Sequence, residues 1–409
     1  MKIAAIIAEY NPLHGGHQYH IEQTRKMTGA DYIVTILSGD FVQRGLPAVE
    51  EKFLRAQKAL RAGSDLVLEL PLPYALSSAQ GFAFGGVSLA HELGCVDHLS
   101  FGLEDEKDLE PMQALVRSLL QTEQTKSGIL TTSESASFSS ALQEALKDGR
   151  SYPAAVARAV TEAYPELDTR FLTREQNSNT LLALEYLKAL RCLNSSITPV
   201  AVKRKGMAYL SSESPSGSAS ESDGYPSATA LRTLLQSGEA SHSPLLFPKD
   251  FSALLHYRLL SGSYEDLLLY PEVTPQLAHK IQNAIPAFED YEQFANLLWT
   301  KDTTYAKICR ILSCILLGIQ KDTWDVHAQV PYARILGFRK DSAPLLHQLK
   351  ASAAIPLITK LADASAVLPP QAQQLLDLNV KASQIYDSVR YHKSGERLPG
   401  EYQKQLVIL

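Results

Sequence analysis

The sequence predicts an α/β protein in which a doubly wound parallel sheet is followed by a mostly α-helical C-terminal domain. Segments with helical spacing separate apolar runs of strand length, which lie at residues 1–8, 32–38, 65–71, 96–102 and 197–203. Parallel strands need crossover connections, so this alternation predicts a parallel sheet covered by helices on both faces. Beyond about residue 243 the spacing is almost wholly helical. We therefore expect two domains, residues 1–244 and residues 245–409.

The composition is ordinary for a globular protein, with 45% hydrophobic and 20% charged residues among 409. The cysteines are scattered, which favours buried thiols in a reducing compartment over a disulfide framework or a metal cluster; they are Cys95, Cys192, Cys309 and Cys314. The sequence has no basic-then-apolar leader and no run of about 18 apolar residues. We therefore expect a cytoplasmic protein that is not bound to a membrane.

The charge is weakly informative about partners. A formal net charge of -5 argues against a general nucleic-acid coat. Residues 331–409 carry 10 Lys and Arg against 6 Asp and Glu, a local excess of +4. The C-terminal end is therefore the place where we expect a polyanion to bind.

The first chemical signal is a strand that turns sharply into a helix within residues 1–20. Residues 1–8 have the pattern of a buried strand, residues 11–16 contain Pro and Gly, and helical spacing begins at His17. The unpaired amides at the start of such a helix point at one place and favour an anion such as phosphate. The sequence therefore predicts a phosphate site at this turn.

His14, Gly15, Gly16 and His17 form an HxGH motif at this turn. The glycines let a nucleotide approach the backbone, and two imidazoles can donate hydrogen bonds to phosphate oxygens and stabilise charge that develops at the α-phosphorus. A simple helix cap explains the two histidines equally well. A metal site would need a third ligand, for which His20 is available. The motif alone leaves all three interpretations open.

A second signal comes near the end of the predicted sheet domain. Ser227 is a good N-cap for a helix that carries Arg232, and together they could hold the β- and γ-phosphates of a nucleotide. Residues 211–226 just before it are rich in Ser, Gly and acidic residues. We expect this segment to be a lid that closes over a nucleotide, although an N-cap serine is most often structural.

These two signals together resemble the HxGH nucleotidyltransferase superfamily of the class I aminoacyl-tRNA synthetase type. More narrowly, the chain resembles the bacterial tRNA(Met) cytidine acetate ligase family. The resemblance rests on ordered blocks along nearly the whole chain: AEYNPLHGGHQYH, LSGDFVQRGLPAVEEKFLRAQKAL, GSDLVLELPLPYA, FGLE, SNTLLALEYLKAL, VKRKG, SATALR, YAKICRILSCILLGI and PYARILGF.

The resemblance implies an ATP-dependent ligase. Such an enzyme activates acetate as acetyl-adenylate, releases pyrophosphate, and transfers the acetyl group to N4 of the wobble cytidine of elongator tRNA(Met). The implied cosubstrate is ATP, with Mg²⁺ expected beside it, and the implied partners are acetate and tRNA(Met). The helical domain would bind the tRNA, and the oligomeric state stays open.

The resemblance also implies the site. His14, His17 and Arg204 would be catalytic, bracing the phosphates and supplying positive charge. The ATP-binding residues would be Ile7, Ala8, Glu9, Tyr10, Asn11, Pro12, His14, Gly15, Gly16, His17, His20, Gly102, Asn179 and Arg204, to which the helix start adds Ser227 and Arg232. The family often has a second asparagine where this chain has Thr180 and FGSE where it has Leu103, so we expect the contacts to the adenosine or ribose to differ from those of the family.

Several charged and aromatic residues are weaker candidates for phosphate or tRNA contacts, and each is also expected as plain surface or core. They are Gln43, Arg44, Lys52, Tyr305, Tyr332, Arg334 and Phe338. Asp40 should repel phosphates unless a magnesium ion bridges the two.

Two other functions remain open at this stage. An adenylyltransferase that transfers AMP from ATP to a small phosphorylated metabolite would use the same HxGH motif. A non-catalytic RNA-binding module would have no use for it. The helical domain of roughly 160 residues favours the tRNA enzyme, because a metabolite enzyme does not need it.

Overall fold

The computed structural model describes most of the chain, namely residues 1–124, 130–134, 136–148, 152–172, 178–204, 228–236, 244–300 and 303–409. Ser227 and the predicted lid, residues 211–226, lie outside these residues.

The strands in the described residues are numbered in chain order. They are β1 (Ile3–Ala8), β2 (Tyr32–Ser38), β3 (Phe41–Val42), β4 (Leu46–Pro47), β5 (Leu66–Leu70), β6 (His98–Leu103), β7 (Leu120–Gln124), β8 (Leu130–Glu134), β9 (Thr198–Lys203), β10 (Ala333–Phe338), β11 (Leu357–Ile358) and β12 (Val407–Ile408).

The α-helices are numbered in the same way. They are α1 (Gly15–Thr28), α2 (Lys52–Arg61), α3 (Leu72–Ala75), α4 (Ala79–Glu92), α5 (Leu109–Leu119), α6 (Ala136–Lys147), α7 (Tyr152–Ala163), α8 (Ser178–Cys192), α9 (Ala228–Gln236), α10 (Ser252–Ser261), α11 (Tyr264–Leu267), α12 (Pro275–Ala284), α13 (Tyr291–Leu298), α14 (Tyr305–Leu317), α15 (Ala343–Ser352) and α16 (Pro370–Ser394).

The predicted doubly wound sheet is confirmed. Its strand order is β11-β10-β5-β2-β1-β6-β9, with β12 paired to β10. The pairs β1–β2, β2–β5, β1–β6 and β6–β9 are all parallel. The chain first adds strands on one side of β1 and then on the other, so the order reverses between β1 and β6. Ligands of such sheets bind at this reversal, outside the carboxyl ends of the strands.

The C-terminal part divides its packing between two cores. Buried apolar side chains between Leu246 and Ile319 form a second, mostly helical cluster with residues of α16 and with Phe41, Leu72 and Leu76 of the N-terminal half. Further along, residues 330–376 share the core of the sheet. Strand β10 pairs antiparallel with β5, so the segment PYARILGF extends the N-terminal sheet. The domain boundary at residue 245 stays a prediction, but the mostly helical second half also completes the first.

One local expectation was wrong. The spacing predicts helix throughout residues 106–163, whereas β7 and β8 form an antiparallel pair between α5 and α6. The threonines of these strands, Thr122, Thr131 and Thr132, are β-branched residues, which favour an extended backbone.

The helices of the described residues are too short or too polar to cross a membrane.

Candidate functional site

The candidate site lies at the carboxyl edge of the sheet, where β1, β6 and β9 end. Residues 9–14 leave β1 and lead into α1, Gly102 is near the end of β6, and Arg204 follows β9 directly. These three positions come from distant parts of the sequence. The parallel register of the three strands brings them to one edge.

His14 and His17 both cap helix α1. The Nδ1 atom of His14 accepts a hydrogen bond from the backbone N–H of Gly16 at 3.1 Å, and Nδ1 of His17 accepts from the backbone N–H of His14 at 3.3 Å. The two rings stack with centroids 3.7 Å apart. A nitrogen that accepts carries no proton, so in each neutral ring the proton is on Nε2. The cap therefore turns each Nε2–H into a hydrogen-bond donor.

The histidines of this site are held neutral. Burial lowers the pKa of His14 to about 4, and the positive charge of Arg204 adds to the effect. Burial also lowers the pKa of His17 well below its ordinary value, with contributions from His14, His20 and Arg204. Two neutral donors beside an arginine suit an anionic ligand, because the two N–H groups can donate hydrogen bonds while the arginine supplies the positive charge.

His20 lies deeper than the other two histidines and contacts β6. Its Nε2 is 3.0 Å from Oγ of Ser100, which is 2.7 Å from Oγ1 of Thr24. Burial lowers the pKa of His20 to about 4. Among the described residues, no group of three or more His, Cys, Asp and Glu side chains has the arrangement of a metal site. The metal interpretation of the three histidines therefore has no support from their geometry.

The segment between β1 and α1 is fixed by its own polar groups. Oε1 of Glu9 accepts from the backbone N–H of Gln43 at 2.7 Å, and Oδ1 of Asn11 accepts from that of Val49 at 2.8 Å. Burial raises the pKa of Glu9 above its ordinary value. Both contacts reach residues that follow β2, so the two loops support each other.

Apolar packing also holds the segment between β1 and α1 in place. Tyr10 is 2% exposed, has a φ of 45°, and its ring centroid lies 5.0 Å from that of His17. Ile7 packs directly on α4, where a Cβ atom on Gly86 would lie 2.5 Å from Ile7 Cδ1. Ala8 ends β1, and Pro12 and Gly15 lie on either side of His14 in the turn into α1. The predicted segment 7–20 thus runs without a break from the end of β1, through the turn, into α1.

Glu104 contacts two of the predicted ATP residues, although it was not itself predicted from the sequence. Its Oε1 lies 3.2 Å from Nη1 of Arg204 and 3.5 Å from Nδ2 of Asn179. The Arg204 side chain crosses Gly102, where a Cβ atom would lie 3.1 Å from Arg204 Cγ. Glu104 belongs to the FGLE block, so its place in that block was the available signal.

Arg232 reaches the same loop from α9. Its Nη1 donates to the backbone carbonyl of Asn11 at 2.8 Å. This contact brings the helix that carries Arg232 against the turn that holds the HxGH motif. Ser227 precedes the described part of this helix.

Two charged residues suggested for ligand contacts, Lys52 and Arg334, instead belong to a buried ion network. The network consists of Asp40, Lys52, Glu69, Arg334 and Glu401. Lys52 Nζ lies 2.9 Å from Glu69 Oε1 and 3.0 Å from Glu401 Oε2. Arg334 bridges the same two carboxylates at 2.8 and 2.7 Å. Asp40 accepts from Ser383 Oγ at 2.7 Å. The suggestions that Lys52 and Arg334 contact phosphate or tRNA are therefore wrong, since both are buried.

The remaining weak candidates differ in exposure. Tyr332 is fully buried and belongs to the core, so it cannot stack on a base. Gln43 uses its backbone to hold Glu9. Tyr305 and Phe338 are partly buried and pack against the helical and sheet cores.

Comparison with known proteins agrees with this geometry. A model of the HIGH Nucleotidyl Transferase family matches residues 1–399. The fold and the HxGH turn at its switch point thus define a nucleotidyltransferase-like protein.

More specific relatives cover the whole chain. The chain is 32% identical to the tRNA(Met) cytidine acetate ligase of Acetivibrio thermocellus, with 100% of both proteins covered. It is 34% identical to that of Clostridium kluyveri over 94% of each. The crystal structure of Thermotoga maritima TmcAL bound with alpha-thio ATP superposes with a TM-score of 0.86 at 26% identity, covering 100% of both chains. The chain belongs to the tRNA(Met) cytidine acetate ligase family, a family of ligases.

Proposed function

We propose that the chain uses ATP to activate acetate and acetylates N4 of the wobble cytidine of elongator tRNA(Met). The observation that carries the proposal is the meeting of His14, His17 and Arg204 at the carboxyl edge of the sheet. The family and its ATP-analogue-bound member support it. The residues named for ATP in the sequence, from Ile7 to Arg232, are part of this proposal.

In the first half-reaction an acetate oxygen attacks the α-phosphorus of ATP. The new bond joins that oxygen to phosphorus, the bond to the bridging oxygen of the β-phosphate breaks, and pyrophosphate leaves. Negative charge grows on the transferred and leaving oxygens. The Nε2–H groups of His14 and His17 and the guanidinium of Arg204 are donors suited to that charge.

In the second half-reaction the N4 amine of cytidine attacks the acetyl carbonyl. An amide bond forms, the bond between carbonyl carbon and phosphate oxygen breaks, AMP leaves, and the amine loses one proton. We propose that residues 245–409 bind the tRNA and that the reaction takes place in the cytoplasm. This part of the proposal rests on the family rather than on the site.

Magnesium belongs to the proposal as the metal that neutralises charge on the polyphosphate. Asp40 does not fit as its ligand, because the backbone N–H of Lys52 already donates to its Oδ1 and Ser383 Oγ donates to its Oδ2. We therefore derive no step from a protein ligand of magnesium.

An isotope exchange experiment tests the first half-reaction. The protein is incubated with ATP, magnesium and labelled pyrophosphate, with and without acetate. Label should enter ATP only when acetate is present. Exchange at the same rate without acetate would contradict acetate activation and favour transfer of AMP to another acceptor.

Two substitutions at His17 separate its two nitrogens. Asn can replace the Nδ1 acceptor of the cap, whereas Gln can replace the Nε2 donor. If Nε2–H binds phosphate, His17→Asn should lower the exchange rate by about 10²–10³-fold and His17→Gln should lose much less. The reverse order would mean that capping is the main role of His17.

Labelled acetate tests the second half-reaction. An elongator tRNA(Met) transcript should gain label at the wobble cytidine, and a transcript with uridine at that position is the matched control. Equal labelling of both would contradict the proposed acceptor.

A further inference from the structure

Arg55 on helix α2 binds four backbone carbonyls and is fully buried. Its Nε donates to the carbonyl of Glu50 at 2.9 Å. Its Nη1 donates to Glu9 at 2.8 Å and to Ser38 at 2.9 Å, and its Nη2 donates to Gly39. The exposed fraction of the residue is 0%. Four of the five N–H groups of a guanidinium are thus used on main-chain oxygens.

Three of these carbonyls, those of Glu9, Ser38 and Gly39, lie where two neighbouring strands leave the sheet. Ser38 ends β2 and Glu9 directly follows β1. Carbonyls that turn away from a sheet lose their partners in the ladder and need another donor when buried. The guanidinium is a rigid planar fork that can serve both strands at once, which a lysine ammonium cannot do. Arg55 therefore fixes the direction in which residues 9–14 leave β1.

The charge of Arg55 is not cancelled by a contact. Among the described residues no carboxylate lies within ion-pairing distance of it. Its contacts are neutral carbonyls, so a net positive charge is buried directly behind the loop of the candidate site. That charge acts on Glu9, whose carboxyl pKa burial raises and Arg55 helps to lower.

We propose that Arg55 is a positioning residue for the ATP reaction. It holds the ends of β1 and β2 together so that residues 9–14 present His14 and His17, and it adds positive charge behind the polyphosphate. The residue has no direct contact with the reacting atoms. This inference rests on the proposed ATP function of the site.

Two variants each remove one property of Arg55, either its planar fork or its charge. Arg55→Lys keeps the charge but cannot reach both strand ends, whereas Arg55→Gln keeps planar amide geometry without charge. The matched control is Arg25→Lys. Arg25 also donates to backbone carbonyls, those of Ala30, Asp31 and Gly63, but at the opposite edge of the sheet.

The first measurement is the dissociation constant of ATP, by calorimetry, with the thermal unfolding of the ligand-free protein measured beside it. Both Arg55 variants should weaken ATP binding about tenfold or more, because small displacements of binding groups are costly. Arg25→Lys should change it less than about twofold. A loss of thermal stability in the Arg55 variants with unchanged ATP affinity would overturn the proposal.

The second measurement does not need ATP. Hydrogen exchange of the ligand-free protein should be faster over residues 9–14 and 38–43 in Arg55→Lys than in wild type, and unchanged there in Arg25→Lys. Unchanged hydrogen exchange in these segments would overturn the proposal, whether or not the wild-type protein binds ATP. A wild-type protein that binds no ATP would instead contradict the proposed function. If neither Arg55 variant folds, Arg55 is a folding residue and the proposal fails.

Discussion

Two polar regions, one partly buried and one fully buried, flank the loops that follow β1 and β2, and they solve the same physical problem differently. The histidine cluster, His14, His17 and His20, stays neutral because burial lowers each pKa. The buried ion network stays charged because each group in it is paired, as Lys52 is with Glu69 and Glu401.

The difference explains which region can accept a ligand. A buried ion is tolerated only when partners satisfy it, and such partners leave no donor for a nucleotide. Neutral imidazoles with one nitrogen in the cap keep a second nitrogen for another group. The buried charges of the ion network are thus structural, whereas the two capping histidines use only Nδ1 in the cap and lie beside the positive charge of Arg204.

The largest expected effect comes from breaking the ion network. Lys52→Met leaves Glu69 and Glu401 buried with one cation fewer. Removing one partner of a buried pair costs about 3–5 kcal/mol. The free energy of unfolding, measured with denaturant, should fall by that amount.

The control for this substitution lies on the same helix. Lys58 pairs with Glu50, but its side chain is 37% exposed. Because an exposed pair contributes little, Lys58→Met should cost less than about 1 kcal/mol. Equal losses in the two variants would mean that the network is no more important than a surface ion pair.

The second prediction concerns pH, because the two regions should weaken in different pH ranges. An unfolded histidine binds a proton near its ordinary pKa of 6.5, whereas folded His20 does so only near about 4. The unfolded state therefore takes up protons first, and stability from this cluster falls as pH drops from 6.5 towards 4. Although burial opposes it, Lys52 and Arg334 hold the pKa of Glu401 below its ordinary 4.5, so the network weakens only below that pH.

A substitution at His20 tests this separation. Gln can keep the hydrogen bond to Ser100 and does not titrate. Between pH 7 and 5 the free energy of unfolding of His20→Gln should fall by about 1–2 kcal/mol less than that of wild type. Parallel pH curves for the two proteins would show that His20 is not the group that titrates.

The sequence predicts the part of the fold that local spacing encodes. Strands β1, β2, β5, β6 and β9 and their crossover helices follow from apolar runs and helical periods. The antiparallel pairing of β10 with β5 does not, because periodicity carries no information about which distant segments pair. The β7–β8 hairpin was missed for a local reason, because its polar strands show no clear alternation of apolar and polar residues.

The site was predictable where a motif fixes local geometry. His14 and His17 lie on the turn that the HxGH spacing indicated, and the cap uses only Nδ1 of each ring, so capping and donation from Nε2 are compatible rather than alternatives. Burial of Lys52 and Arg334 was not predictable, because their partner Glu401 is far away in the sequence. Charge alone cannot distinguish a ligand contact from a structural pair.

The smallest expected effect concerns the pH dependence of His17 itself. Its pKa lies well below its ordinary value, and protonation at Nδ1 would break the cap with His14. The ring should therefore act as a neutral donor at every pH from about 6 to 8. In this range the ratio of the exchange kcat/KM of wild type to that of His17→Gln should stay constant. Titration of ATP and pyrophosphate affects both proteins equally and cancels in the ratio. A ratio that falls about tenfold per pH unit as the pH rises through this range would require an imidazolium at His17. The contrast between a neutral histidine cluster and a charged buried ion network would then no longer hold.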